Sequence, residues 1–247
     1  MRQGWLDEAI RVSGLGAGVE FPRNLLKEVS LGLPLAVTSL PGLSTQRIRD
    51  WLADREIHHP VSERNRLLHG CLVAQSGHGF VFVDADDDEC ERRFSLAHEV
   101  AHFVLDHLLP RIRALQCLGE RIRPVLDGER LPTHEEMFSA VLERVRLGLR
   151  VHLMSRDGRG GVCSWEVEDS EQRADQLAFE LLAPAELAVV ALRDRDRPTG
   201  LLGEEEGTER IARDFGLPNP VANDYVRLLL ARYQRRPTLS EQLFGRR

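Results

Sequence analysis

Runs of apolar residues broken by polar turn signals divide the chain into short elements. Leu35-Ala36-Val37-Thr38-Ser39-Leu40 reads as a strand. Cys71-Leu72-Val73-Ala74 and Phe80-Val81-Phe82-Val83 read as two more, and Ser76-Gly77-His78-Gly79 between them is a hairpin signal. Ser44 is placed to cap a helix running to about Arg55, with Ile48, Trp51 and Leu52 on one face. Residues 1–33 form a short helical lead with breaks at Gly14, Gly16 and Gly18. Residues 92–108 contain no Pro or Gly and carry apolar side chains nearly all round, which predicts a buried helix. A second helix spans residues 171–184 and stops near Pro184. Between these two lie a predicted helix near residues 133–147 and a predicted strand at 149–153. Residues 208–216 and 221–233 predict a helical hairpin around Gly216 and the turn Leu217-Pro218-Asn219-Pro220.

The expected fold class is α+β. The expected organisation is a lead at 1–33 and one main domain at 34–233. That domain carries an insert at about 103–168 and the hairpin at 208–233, and a basic tail at 234–247 follows. With 247 residues, 42% of them hydrophobic and 29% charged, the chain can bury a sizeable core, which excludes a wholly disordered class. The net charge of −6 argues against a dedicated nucleic-acid binder. Lys27 is the only lysine, so the cationic surface is made of arginine forks.

Cys71, Cys90, Cys117 and Cys163 are widely spaced with no C-x-x-C pair, which argues against a zinc ribbon or a disulfide framework. Free thiols fit a reducing compartment. No apolar run reads as a signal peptide or a membrane span, so a soluble, cytoplasmic protein is expected. The acidic run Asp84, Asp86, Asp87, Asp88, Glu89 and Glu91 invites a calcium loop. That loop needs Gly at its sixth position and Glu at its twelfth, where this chain has Glu89 and Ser95. Acidic residues favoured by the dipole at a helix start explain the run better.

Candidate chemistry sits in the buried helix, as His98-Glu99-Val100-Ala101-His102. Two histidines four apart share a helix face and can bind one zinc ion, and Glu99 beside the first of them can hydrogen-bond a metal-bound water. With 9 His and 23 Glu in the chain, about 0.03 chance matches to this pattern are expected. A catalytic zinc needs a third protein ligand. The extended pattern with Gly at 105 and His at 108 fails, because both positions are leucine. Asp106 lies one turn beyond His102 on the correct side, but a third ligand from the same helix would crowd the site. Glu171 on the second helix is the other candidate, with Asp175 one turn on to orient an imidazole. Spacing alone leaves open that Glu171 belongs to an ordinary charged first turn. Ala174 and Ala178 would let this helix pack closely.

Two motifs resemble the ImmA/IrrE family of bacterial metallopeptidases. Arg93-Phe94-Ser95-Leu96-Ala97-His98-Glu99-Val100-Ala101-His102 looks like its R-F-(T/S)-L-A-H-E-x-x-H. Glu171-x-x-Ala174-Asp175-x-x-Ala178-x-x-Leu181-Leu182-x-Pro184 looks like its E-x-x-A-(N/D)-x-F-A-x-x-L-L-x-P, with Leu177 at the usual Phe. The resemblance spans roughly residues 69–230 and implies a minimal zincin-like fold. It implies His98, His102 and Glu171 as zinc ligands and Glu99 as general base, with Mn²⁺ or Fe²⁺ also suited to this donor set. The 68 residues between His102 and Glu171 are a longer separation than the family leads one to expect.

The implied activity is hydrolysis of a peptide bond in a helix-turn-helix repressor, which switches on genes in stress response or in a mobile element. His107, His152, Tyr225 and Arg173 are candidates for stabilising the oxyanion. Two other classes remain open: a zinc-stabilised module that binds a regulator without cutting it, and a DNA-binding regulator using residues 208–233. Direct nucleic-acid binding is not the expectation, nor is membrane association.

Overall fold

Four strands, β1 (Leu35–Leu40), β2 (Leu68–Gln75), β3 (His78–Asp84) and β4 (His152–Ser155), form one sheet in the spatial order β1-β3-β2-β4. The computed structural model describes residues 4–16, 20–59, 61–62, 64–142, 152–155, 165–194 and 200–234. β1 runs parallel to β3, and β2 is antiparallel to both β3 and β4. The hairpin turn is two residues long. Ser76 and Gly77 both have positive φ, 53° and 82°, which matches the twist of the strands they join. β3 therefore begins at His78, earlier than the apolar run at Phe80 suggests, because its backbone pairs with Gln75 regardless of side-chain polarity.

Helices cover both faces of the sheet. On one face lies α3 (Thr45–Ala53), after α1 (Gly4–Ser13) and α2 (Leu25–Gly32). Ser44 caps α3 by accepting a hydrogen bond from the Arg47 N–H. Ile48 and Leu52 of α3 bury themselves against Cys71, Val73 and Phe82, and Trp51 packs edge-on to Phe80 and Phe82. The alternate strand residues Leu72, Ala74, Val81 and Val83 point to the opposite face. There they meet α4 (Glu89–His102) and α8 (Trp165–Leu182). Residues of α1 and α2, including Ala9, Leu25 and Val29, join this same core.

α4 starts where its chemistry favours a start. The Asp88 carboxylate accepts from the Glu91 N–H at 2.9 Å, and Glu89 and Glu91 sit in the first turn. The neighbouring acidic residues have partners of their own. Asp84 accepts from the Asp86 N–H, Asp86 from the Gly42 N–H, and Asp87 pairs with His69. The acidic run is thus a helix start and its supporting turn.

The buried helix expected over 92–108 is longer and is interrupted. After His102 the chain makes a wide π-helical turn, Phe103–Leu108, and continues as α5 (Leu109–Leu118). Pro110 lacks the N–H that a regular helix needs, and the wide turn lies directly before it. α6 (Arg123–Leu126) and α7 (His134–Leu142) follow. α7 covers the described part of the helix expected at 133–147. β4 takes up the end of the strand expected at 149–153, of which residues 149–151 lie outside the described residues.

After α8 come α9 (Ala185–Ala191), α10 (Glu204–Phe215) and α11 (Asn219–Gln234). Gly216 ends α10 in the left-handed conformation, as its position before the turn suggests. Ile211, Phe215, Tyr225 and Val226 of this hairpin belong to the main core. The fold is α+β and zincin-like. Among the described residues no helix is long and apolar enough to cross a membrane. Cys71, Cys90 and Cys117 are free thiols, and Cys163 lies outside the described residues.

Candidate metal centre

Two helices build the site. His98, Glu99 and His102 lie in the last turns of α4 and are 3%, 0% and 1% exposed. α8 crosses beside them. Ala97, Ala101, Ala174 and Ala178 are fully buried, and these small side chains let the two helices approach closely. The approach brings Glu171 to the two imidazoles. His98 Nε2 lies 3.1 Å from His102 Nε2 and 3.2 Å from Glu171 Oε2, and His102 Nε2 lies 3.5 Å from Glu171 Oε1. Four ligands arranged tetrahedrally around zinc at about 2.05 Å are separated by about 3.3 Å. The two imidazole nitrogens lie at about that spacing from each other and each from one oxygen of Glu171. Among the described residues they are the one group of three such side chains close enough to share a metal ion.

The other ring nitrogens are held too. His98 Nδ1 is 2.9 Å from Asp175 Oδ1, and His102 Nδ1 is 3.0 Å from Asp106 Oδ2. Each carboxylate fixes one imidazole with Nε2 turned to the cluster. Asp175 occupies the supporting place that its spacing suggests. Asp106 is a support for His102, and Ser170 of α8 in turn donates to it at 3.4 Å. The i,i+4 spacing of His102 and Asp106 was the available signal. The site opens on the α8 side, since the Glu171 and Asp175 side chains remain 42% and 43% exposed.

Glu99 stands apart from this network. Burial pushes its carboxyl up to about 7, against the pull of His98 and His102. The Leu72 backbone N–H also works to lower it, but burial prevails. A fully buried carboxylate next to a candidate metal-binding cluster suits a group that exchanges protons with water and substrate. It reaches that place through a gap in β2. A Cβ built on Gly70 would lie 2.9 Å from Glu99 Oε1 and 3.0 Å from its Cγ. Nothing in the sequence marks Gly70, because the contact depends on how α4 lies across β2.

The four oxyanion candidates are placed differently. The Tyr225 hydroxyl donates to the Ala183 carbonyl at 2.7 Å, and its ring stacks on Phe179. The Arg173 guanidinium lies over the Trp5 ring, 4.7 Å from its centroid. His107 stacks on Phe103. The side chain of His152 lies outside the described residues.

The cluster's charges set its pH behaviour. Burial works against a charged His98, but hydrogen bonds to Asp175 and Glu171 outweigh it and hold the imidazole up at about 10. His102 is raised in the same way by Asp106 and Glu171, against burial. Burial also works to raise the Glu171 carboxyl, but its hydrogen bonds to His102 and His98 prevail and hold it well below the usual range. In the metal-free protein a proton therefore occupies the place that a bound cation would take. Metal uptake near neutral pH is expected to release protons, and affinity to rise about tenfold per pH unit for each proton displaced. Calorimetry in buffers of different ionisation enthalpy measures the release. An affinity that stays flat from about pH 6 to 8 contradicts it.

Residues 57–142 match the family model Peptidase_M78, described as the IrrE N-terminal-like domain. The match includes His98, Glu99 and His102 and bears out the resemblance to the ImmA/IrrE metallopeptidases. It ends before α8, so Glu171 rests on the geometry given above and on the second motif. No curated protein and no solved structure matches the chain.

Proposed function

From an IrrE N-terminal-like peptidase domain at residues 57–142, we propose that this chain is a zinc-dependent endopeptidase that cuts a helix-turn-helix transcriptional repressor. The observation that carries the reading is the pairing of a three-donor cluster with the fully buried Glu99 beside it. His98, His102 and Glu171 hold the metal, and Asp175 and Asp106 keep the imidazoles turned toward it. Zinc, when bound, supplies Lewis acidity, activating water near neutral pH and polarising a peptide carbonyl. Mn²⁺ or Fe²⁺ also suits two imidazoles and a carboxylate. Glu99 takes a proton from the attacking water on one carboxylate oxygen. It then delivers that proton to the amine nitrogen as the C–N bond breaks and the new C–O bond remains.

The repressor as substrate comes from the family resemblance, as does a role in stress response or in a mobile element. Such a substrate places the reaction in the cytoplasm. A zinc-stabilised binding module has no use for a base beside the first histidine. A DNA-binding role for residues 208–233 is disfavoured by the acidic first turn of α10, with Glu204, Glu205 and Glu206.

The test is direct. The zinc-loaded full chain is incubated with the purified helix-turn-helix repressor encoded beside its gene, and products are read by intact mass. Two fragments that together equal the substrate plus one water are expected, with cleavage stopped by a chelator and restored by zinc. Stable binding of the repressor without any fragment would instead favour the binding-module reading.

A further inference from the structure

The slot that holds Glu99 is made by an absent side chain. Position 70 lies on the face of β2 that meets α4, in phase with Leu72 and Ala74. The pairing of β2 with β4 shifts register between Leu68 and Gly70, so Leu68 turns to the α3 side, with Cys71 and Val73. Gly70 thus sits at a bulge under the last turns of α4. A Cβ there would meet Glu99 Oε1 at 2.9 Å, Cγ at 3.0 Å and Cδ at 3.4 Å. Its three nearest neighbours all belong to this one side chain.

We propose that Gly70 is a positioning residue for Glu99, and that the bare backbone at this bulge keeps the carboxylate beside the metal-binding cluster. The proposal rests on reading Glu99 as the base. The physics separates it from a packing role. A clash with backbone or a locked core side chain would disturb the fold. Here the obstructed atoms run from Cγ to the carboxylate of one side chain and include no backbone, so the strain falls on the placement of Glu99. Alanine also favours an extended strand over glycine. Gly70→Ala is therefore expected to spare the fold and the metal and to move the base.

The experiment compares wild type, Gly70→Ala, Glu99→Asp and the double variant, each zinc-loaded and full length. Crystal structures of wild type and Gly70→Ala are expected to show the same fold and the same metal ligands, with the Glu99 carboxylate displaced from the slot. Thermal midpoint and zinc content are expected to match wild type. Repressor cleavage is expected to fall about 100-fold in kcat, the order of loss that a misplacement near 1 Å produces. Aspartate has no atom at the Oε1 position that makes the 2.9 Å contact, and keeps only a γ-carbon near the 3.0 Å one, so a Cβ obstructs it less. In the Glu99→Asp background, Gly70→Ala is therefore expected to cost less than about threefold, a departure from additivity that marks direct coupling.

Three results overturn the inference: Gly70→Ala cleaving like wild type, Glu99 unmoved while β2 gives way, or a variant that does not fold. If wild type itself cleaves nothing, the peptidase reading fails separately. The position of Glu99 in the Gly70→Ala structure then still decides the role of Gly70.

Discussion

Glu99→Gln is expected to keep one metal per chain and to lower cleavage by about 10²–10⁴-fold, the usual contribution of a positioned acid–base group. Glutamine has nearly the same shape, so it fills the slot beside Gly70. Its amide cannot take a proton from water at neutral pH, and the metal donors are untouched. The substitution also makes a pH-dependent stability prediction for the metal-free protein. Burial raises the folded-state pKa of Glu99 from the ordinary 4.5 to about 7. Between those values the folded protein holds a proton that the unfolded chain has released, so wild-type stability falls as pH rises through this window. The glutamine variant has no such group. Its thermal midpoint should overtake that of wild type as pH rises from about 5 to 7. Metal analysis, cleavage by intact mass and melting at several pH values check the three parts. Unchanged cleavage would remove Glu99 from the mechanism.

Glu171→Ala is expected to weaken zinc binding more than 100-fold and to abolish cleavage, because it removes a donor. Asp175→Ala and Asp106→Ala each remove a support and should weaken binding by about 10–100-fold. Competition with a chromogenic chelator gives the ranking directly. The order matters because the family match ends at residue 142, so the case for Glu171 rests on its 3.2 Å and 3.5 Å approaches to the imidazoles and on the second motif. If Glu171→Ala bound zinc no worse than Asp175→Ala, another residue would have to be the third ligand.

Much of the frame was legible along the chain because it depends on near neighbours. The strand at Leu35–Leu40, the Ser44 cap and the Ser76-Gly77 turn are set by local conformational preference and short-range hydrogen bonds. The i,i+4 spacing puts His98 and His102 on one face wherever a helix forms. The wide turn at Phe103–Leu108 is not legible in the sequence, since the stretch carries no Gly or Pro and the irregularity involves backbone pairing ahead of Pro110. The start of β3 was placed late for a related reason, since backbone hydrogen bonds extend a hairpin through polar residues.

By itself the sequence determined the helical positions of His98, Glu99 and His102, the spacing of Glu171 and Asp175, and the small residues that let two helices meet. Those follow from the helical repeat and from side-chain size. Only the tertiary structure decided that Glu171 reaches both imidazoles across 68 intervening residues and that Gly70 opens the space Glu99 fills. These depend on how α4 lies against β2 and α8. That arrangement is fixed by the packing of the whole core, which no local stretch of sequence encodes.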